Sequence, residues 1–140
     1  MSGHPAHPRY ELGGASLRHA LIAGAEHVIR ARDALNRINV FPVPDGDTGT
    51  NMASTFSAMR AGMQGLRRAS VANVLRTAAD EAIDGARGNS GAIVAQFFSS
   101  LAQSLCRSTR VALPELSVAI HEAAIASRRA LSDPKEGTIL

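Results

Sequence analysis

The sequence predicts an all-α fold. From Gly14 onward it is alanine-rich, with apolar residues recurring at helical spacing; no stretch shows the strict alternation of a half-buried strand; and each periodic segment is bounded by a capping residue, a proline or a glycine cluster. Ser16 is placed to cap a first helix running to about Arg37, with Leu17, Leu21, Val28 and Leu35 near helical spacing and Arg18, Arg30 and Arg32 on other faces. Pro42 and Pro44 forbid an ordinary helix over the next segment, Asn39–Asp47. A second helix is expected from about Thr50, putting Met52, Phe56, Met59 and Met63 on one core stripe, with Gly62 and Gly65 weakening its end. Ser70 caps a third through about Asp84, directing Val71, Val74, Leu75, Ala78 and Ala82 inward. A glycine-punctuated break, Gly85 to Gly91, precedes a fourth helix with Ile93, Phe97, Leu101 and Leu105 on one face. Pro114 suits the first turn of a fifth, in which Leu116, Ile120 and Ala123 line up and which Asp133-Pro134 closes.

Composition limits what such a chain can be. One hundred and forty residues suffice for one domain, and 45% hydrophobic against 19% charged residues excludes a disordered tail. No run approaches the roughly 20 apolar residues of a membrane span, and residues 1–12, with Gly3, Pro5 and Pro8, read as a flexible leader without the apolar core of a signal peptide. Cys106 is the single cysteine, which rules out a disulfide framework and a cysteine-based zinc site. The expected setting is cytoplasmic. The net charge is only +3; Lys135 is the one lysine, and the arginines are scattered, with Arg67-Arg68 and Arg128-Arg129 as the densest pairs. Aromatics at 4% are too few for a base-stacking platform, so nucleic acid is not an expected partner.

Two loops depart from helical logic. The first holds Asp45-Gly46-Asp47-Thr48-Gly49-Thr50-Asn51 behind two stiffening prolines. Carboxylates two apart around a glycine can converge on one point, and a hard divalent cation relieves their repulsion, since Mg²⁺ takes oxygen ligands and keeps waters and substrate phosphates. The helix beginning near Thr50 aims its positive end at this loop. An EF-hand is excluded, because counting from Asp45 its glycine and glutamate positions hold Thr50 and Phe56. An Asp-Gly turn with a cap at Asp47 or Thr48 is the plain structural alternative. The second loop, Gly85-Ala86-Arg87-Gly88-Asn89-Ser90-Gly91, lets backbone amides approach an anion, with Asn89 or Ser90 donating; close helix packing is its alternative explanation. It is neither a Walker A loop nor a dinucleotide fingerprint. Together the loops suit phosphoryl transfer, which rests on positioning and charge neutralisation. His19, His27 and His121 lie within helices and read as surface or packing residues.

The run Asn39-Val40-Phe41-Pro42-Val43-Pro44-Asp45-Gly46-Asp47-Thr48-Gly49-Thr50-Asn51-Met52 resembles the signature of the N-terminal, nucleotide-binding domain of the fatty acid kinase A subunit, itself related to the L-type domain of dihydroxyacetone (glycerone) kinases. Gly85 to Ile93 resembles the family's second motif and Glu136 to Leu140 the start of a third. The resemblance covers residues 13–140 and implies an up-and-down barrel or bundle of antiparallel helices that binds ATP through two Mg²⁺ ions. It assigns Asp45 and Asp47 to the metals and the catalytic centre, with Asn39 as a third metal ligand. Thr48, Gly49, Thr50, Asn51, Gly88, Asn89, Ser90 and Gly91 are assigned to the nucleotide. It further implies an acyl phosphate product, an acceptor fatty acid carried by a separate binding protein, and dimerisation through domains outside this segment. Thr48 stands where the dihydroxyacetone branch has histidine. Dihydroxyacetone phosphorylation and a nucleotide-binding regulatory module without turnover are the alternative functions. Because the family domain continues past the third motif, the 13–140 domain is expected to be cut short at its C-terminus, with an open barrel.

Overall fold

The computed structural model describes residues 10–40 and 43–132. Its elements are β1 (Glu11–Gly13), α1 (Gly14–Arg30), α2 (Arg32–Ile38), α3 (Thr48–Gln64), α4 (Val71–Gly85), α5 (Gly88–Ser104), β2 (Arg110–Ala112), α6 (Leu113–Ser127) and a closing 3₁₀ turn, Arg128–Ala130. The fold is all-α, of the type anticipated. Helices pack in the order α1 on α3, α3 on α4, α4 on α5 and α5 on α6, so neighbours in sequence are neighbours in space. Gly85, at the end of α4, lies against Ala58 and Ser54 of α3, while the start of α4 meets the segment after α5 through Val71 N to Thr109 O (3.1 Å) and Ala72 N to Ser108 O (2.8 Å). α3 and α5 therefore run one way and α4 the other.

The core forms where the apolar stripes converge. On α4, Val71, Val74, Leu75, Ala78 and Ala82 are all buried, as the spacing required, and the Ser70 hydroxyl accepts from Asn73 N at 3.1 Å as its cap. Met59, Met63, Leu101 and Leu105 close the centre, with Met52, Phe56 and Phe97 half-buried against it. Phe98 stacks edge-on to both Phe56 and Phe97, a geometry favoured by the ring quadrupoles.

Several expectations are corrected. The first helix does not run unbroken from Ser16 to Arg37. It starts at Gly14, with Gly13 as cap residue, and stops at Ala31, where the chain turns into α2. No proline or glycine marks this break; it places α2 across the first turn of α3. α3 begins two residues earlier than expected, at Thr48, and continues through Gly62, where the missing side chain admits Glu81 of α4. The second break is shorter than expected, since α5 already begins at Gly88. Ile120 is 43% exposed, and the inward face of α6 is instead Ala119, Ala123 and Ser127. β1 and β2 pair antiparallel, Leu12 opposite Val111. Three residues per strand are too few to show alternation, which hid them in the sequence. Pro114 stands in the first turn of α6 as expected. Residues 1–9 of the expected leader, Asp133-Pro134 and the Glu136–Leu140 motif lie outside the described residues.

Candidate functional site

The acidic loop is shaped by one glycine and one asparagine. Gly46 has φ +65°, a conformation a side chain resists, and it allows the chain to reverse between Asp45 and Asp47, both exposed. Asn39, the residue closing α2, reaches across the loop. Its Oδ1 accepts from Asp47 N (3.1 Å) and Thr48 N (3.0 Å), and its Nδ2 donates to Val43 O (3.4 Å). The side-chain cap of α3 thus comes from Asn39, eight residues upstream, and not from Asp47 or Thr48 themselves. The Asn39 oxygen is directed at two amides here, so service as a metal ligand would require releasing them.

One turn earlier on α2, Asn36 repeats the arrangement. Its Oδ1 accepts from Thr50 N at 3.0 Å and its Nδ2 donates to Thr50 Oγ1 at 2.9 Å. Gly49, buried between these clamps, sits against the carbonyl of Arg32, and a Cβ there would collide with backbone. Asn36 was not among the residues singled out from the sequence. The available signal was its i, i+3 spacing from Asn39, which puts both amides on one face of a helix.

α3 and α5 meet at their starting turns. Gly88 has φ +60°, and a Cβ on it would lie 2.5 Å from Asn51 Nδ2. A Cβ on Gly91 would lie 2.8 Å from Thr55 Oγ1, a hydroxyl that also donates to Asn51 O (3.0 Å) and Gly85 O (3.3 Å). The two sequence motifs are therefore in contact, through Asn51 and Gly88, at one end of the bundle. Asp47 lies one turn, about 6 Å along the axis, before Asn51.

The two helix ends differ in what they leave open. At α3, Asn39 and Asn36 take the amides of Thr48 and Thr50. At α5 no side chain caps the first turn and no acidic residue stands there to offset its positive end, whereas α3 has Asp47 as its N-cap residue. Ser90 Oγ is buried with no hydrogen-bond partner, an unmet polar group of the kind native proteins rarely leave. Arg87 is exposed, its Nη1 donating to Ala86 O at 2.9 Å. Asn89 is exposed beside it. Among the described residues no group of three or more His, Cys, Asp or Glu side chains is arranged to hold a metal. The donor set of the loop is two carboxylates, which matches a cation that completes its shell with water and phosphate oxygens and not one caged wholly by protein.

A cleft of about 680 Å³ opens elsewhere, between α3, α5 and α6, lined by Phe56, Ile93, Phe97, Phe98, Ile125 and Arg128 among others. None of the sequence-singled site residues lines it. No helix is long and apolar enough to cross a membrane among the described residues.

Comparison with known proteins places the chain in a family. The family model described as the DAK2 domain matches residues 42–140. An uncharacterized protein of Staphylococcus haemolyticus (strain JCSC1435) is 31% identical over 130 residues, covering 93% of this chain and 24% of that protein. Protein YloV of Bacillus subtilis (strain 168) is 31% identical over 129 residues, covering 92% of this chain and 23% of that protein. An uncharacterized protein of Staphylococcus aureus (strain USA300) is 30% identical over 130 residues, with 93% and 24% covered. The chain thus spans about a quarter of the length of the curated relatives it matches. With 42–140 matched and both glycine-bearing loops brought to one end of a helical bundle, the chain belongs to the DAK2 domain family, the kinase-related L-type domains of dihydroxyacetone kinase.

Proposed function

We propose that this chain is the ATP-binding part of a two-component kinase, which phosphorylates a fatty acid carboxylate presented by a partner binding protein to give an acyl phosphate and ADP. The observation that carries the reading is the contact between the first turns of α3 and α5 at Asn51 and Gly88, next to the Asp45-Gly46-Asp47 loop. Membership of the DAK2 family supports phosphoryl chemistry, and Thr48, where the dihydroxyacetone branch has histidine, supports the fatty-acid branch over glycerone phosphorylation.

Asp45 and Asp47 would hold Mg²⁺, which when bound neutralises the β- and γ-phosphate oxygens. Thr48, Gly49, Thr50 and Asn51 form the wall from which the metal and phosphates are positioned. The uncapped amides at the start of α5, with Asn89 and the unsatisfied Ser90 hydroxyl, would donate to phosphate oxygens, and Gly88 and Gly91 keep that surface free of side chains. In the transfer a carboxylate oxygen of the acceptor bonds to the γ-phosphorus while the bond from that phosphorus to the β,γ-bridging oxygen breaks, leaving ADP. An ionised carboxylate carries no proton to remove, so no general base is needed.

The test has two stages. ATP or ADP with Mg²⁺ should raise the melting temperature of the chain, and the Asp45→Ala/Asp47→Ala variant should lose that rise. A rise that survives in the double variant overturns the metal assignment. ADP release on adding an acyl-loaded binding protein then separates turnover from binding alone: magnesium-dependent binding without transfer supports the regulatory-module alternative.

A further inference from the structure

The end of the bundle opposite the candidate site carries a feature that the sequence scatters and the fold assembles. Arg67 and Arg68 lie in the α3–α4 connection, Arg107 and Arg110 some forty residues later in the α5–β2 segment, and all four are exposed. Backbone hydrogen bonds hold these segments together, Val71 N to Thr109 O and Ala72 N to Ser108 O, while Gly14 packs directly on Ala69 and Gly13 pairs with Arg110. Arg110 shares its charge with Glu11 at 3.3 Å. Arg67, Arg68 and Arg107 have no carboxylate partner among the described residues. Other acidic side chains near this end are Glu115, in the first turn of α6, Glu122, whose carboxylate accepts from Ser104 Oγ (3.5 Å) at the close of α5, and Glu81, which lies against Gly62 near the end of α3.

Two apolar side chains stand at the same end. Leu113 N donates to Tyr10 O at 3.3 Å, which sets Tyr10 and Leu113 side by side, 73% and 52% exposed. They stand opposite each other at one end of the β1–β2 pair, whose other end is Gly13 opposite Arg110. Arg67 and Arg68 lie within four residues of Val71 and Arg107 is next to Ser108, so the backbone bonds between these segments bring the arginines to one end of the bundle. A purely polyanionic partner such as nucleic acid can stack a base on an exposed tyrosine but has no use for the leucine paired with it. A bilayer surface does, since aromatic and aliphatic side chains enter its interfacial zone while guanidinium groups meet anionic headgroups.

The geometry points to this end as a docking surface for an anionic lipid bilayer, with Arg67, Arg68 and Arg107 meeting headgroups and Tyr10 and Leu113 entering the interface. The seventeen residues of α3 separate it by about 25 Å from the Asp45–Asp47 loop, so a docked chain keeps its candidate site facing solvent. The inference stands apart from the proposed nucleotide chemistry and does not depend on it.

The test is co-sedimentation of the full chain with vesicles of phosphatidylcholine alone and of equimolar phosphatidylcholine and phosphatidylglycerol. The chain should bind the anionic vesicles selectively and lose binding as salt rises to about 0.5 M. Each arginine near the surface is worth roughly fivefold in partitioning, so Arg67→Glu/Arg68→Glu/Arg107→Glu should weaken binding at least about a hundredfold with an unchanged thermal melt. Tyr10→Ser/Leu113→Ser should weaken it several-fold while keeping the preference for anionic lipid. Equal binding to both vesicles, no binding to either, or an arginine variant that binds like the parent overturns the proposal. So does tighter binding to duplex DNA than to anionic vesicles, or indifference to the Tyr10 and Leu113 changes, either of which would mark a general polyanion surface.

Discussion

Asn39 separates two roles that one measurement can tell apart. Its Oδ1 accepts from the amides of Asp47 and Thr48 and so fixes the acidic loop to the start of α3. Asn39→Ala removes that acceptor. Loss of a helix N-cap costs about 1 kcal/mol, and a second amide left unpaired at a half-exposed site brings the expected loss to about 1–2 kcal/mol. With a denaturant slope of about 2 kcal/mol per molar urea, in the middle of the usual range, the unfolding midpoint should fall by roughly 0.5–1 M. The loss should be the same with and without Mg²⁺. Asn39→Asp keeps an acceptor and adds negative charge at a helix N-terminus, worth about 0.3–1 kcal/mol in the favourable direction, against repulsion from Asp45 and Asp47. Its midpoint should stay within about 0.3 M of the parent on the same slope. Urea unfolding followed by circular dichroism, in EDTA and in Mg²⁺, reads all of this. If Asn39→Ala leaves the metal-free midpoint unchanged and lowers only the midpoint in Mg²⁺, the clamp reasoning fails and Asn39 acts as a ligand.

Gly49→Ala should destabilise by about 3 kcal/mol or more, because its Cβ meets the Arg32 carbonyl and α2 cannot yield without releasing Asn36 from Thr50; a melting temperature within about 2 °C of the parent would contradict the close approach. Gly88→Ala should lower stability by roughly 1–2 kcal/mol through its left-handed backbone alone, and should weaken nucleotide binding further by moving Asn51, read by calorimetric titration of ADP with Mg²⁺. Leu75→Ala should cost about 2–5 kcal/mol, while Ile83→Ala, 56% exposed on the same helix, should cost under about 0.5 kcal/mol; equal losses in urea unfolding would mean that the inward face of α4 is wrongly placed.

How far the sequence discloses the fold depends on where the deciding interaction lies. α4 is legible from end to end, because its cap is Ser70 three residues before the amide it binds, and its core stripe recurs at 3.6 residues. The break at Ala31 is not, because nothing local causes it. Its Arg30-Ala31-Arg32 neighbourhood is good helix sequence, and the turn is imposed by the packing of α2 over Gly49 and Thr50. β1 and β2 are invisible for a related reason: residues about a hundred apart supply each other's hydrogen bonds. The loop motifs were legible because Gly46 and Gly88, the positive-φ positions among the described residues, are glycines for a backbone reason that composition alone can signal. What the motifs conceal is their support. Asn36 and Asn39 are unremarkable helix residues until the fold carries them across to α3.

That support also decides which helix end can take a ligand. Judged by sequence, α3 has the stronger claim, since the acidic loop runs straight into it. In the structure its first turn is already served by Asn39 and Asn36, whose oxygens accept from Asp47, Thr48 and Thr50. An anion arriving there would compete with hydrogen bonds that hold the loop itself, each worth about 1 kcal/mol. The first turn of α5 has no such cap, its Ser90 hydroxyl is unsatisfied, and it touches α3 through Gly88. The division of labour follows from these differences. Under the proposed function, Asn39 and Asn36 hold the acidic loop on the start of α3, and the amides left to donate to phosphate are those of α5. The glycines at 88 and 91 serve proximity, since they let the turn that donates lie against the turn that holds the acids.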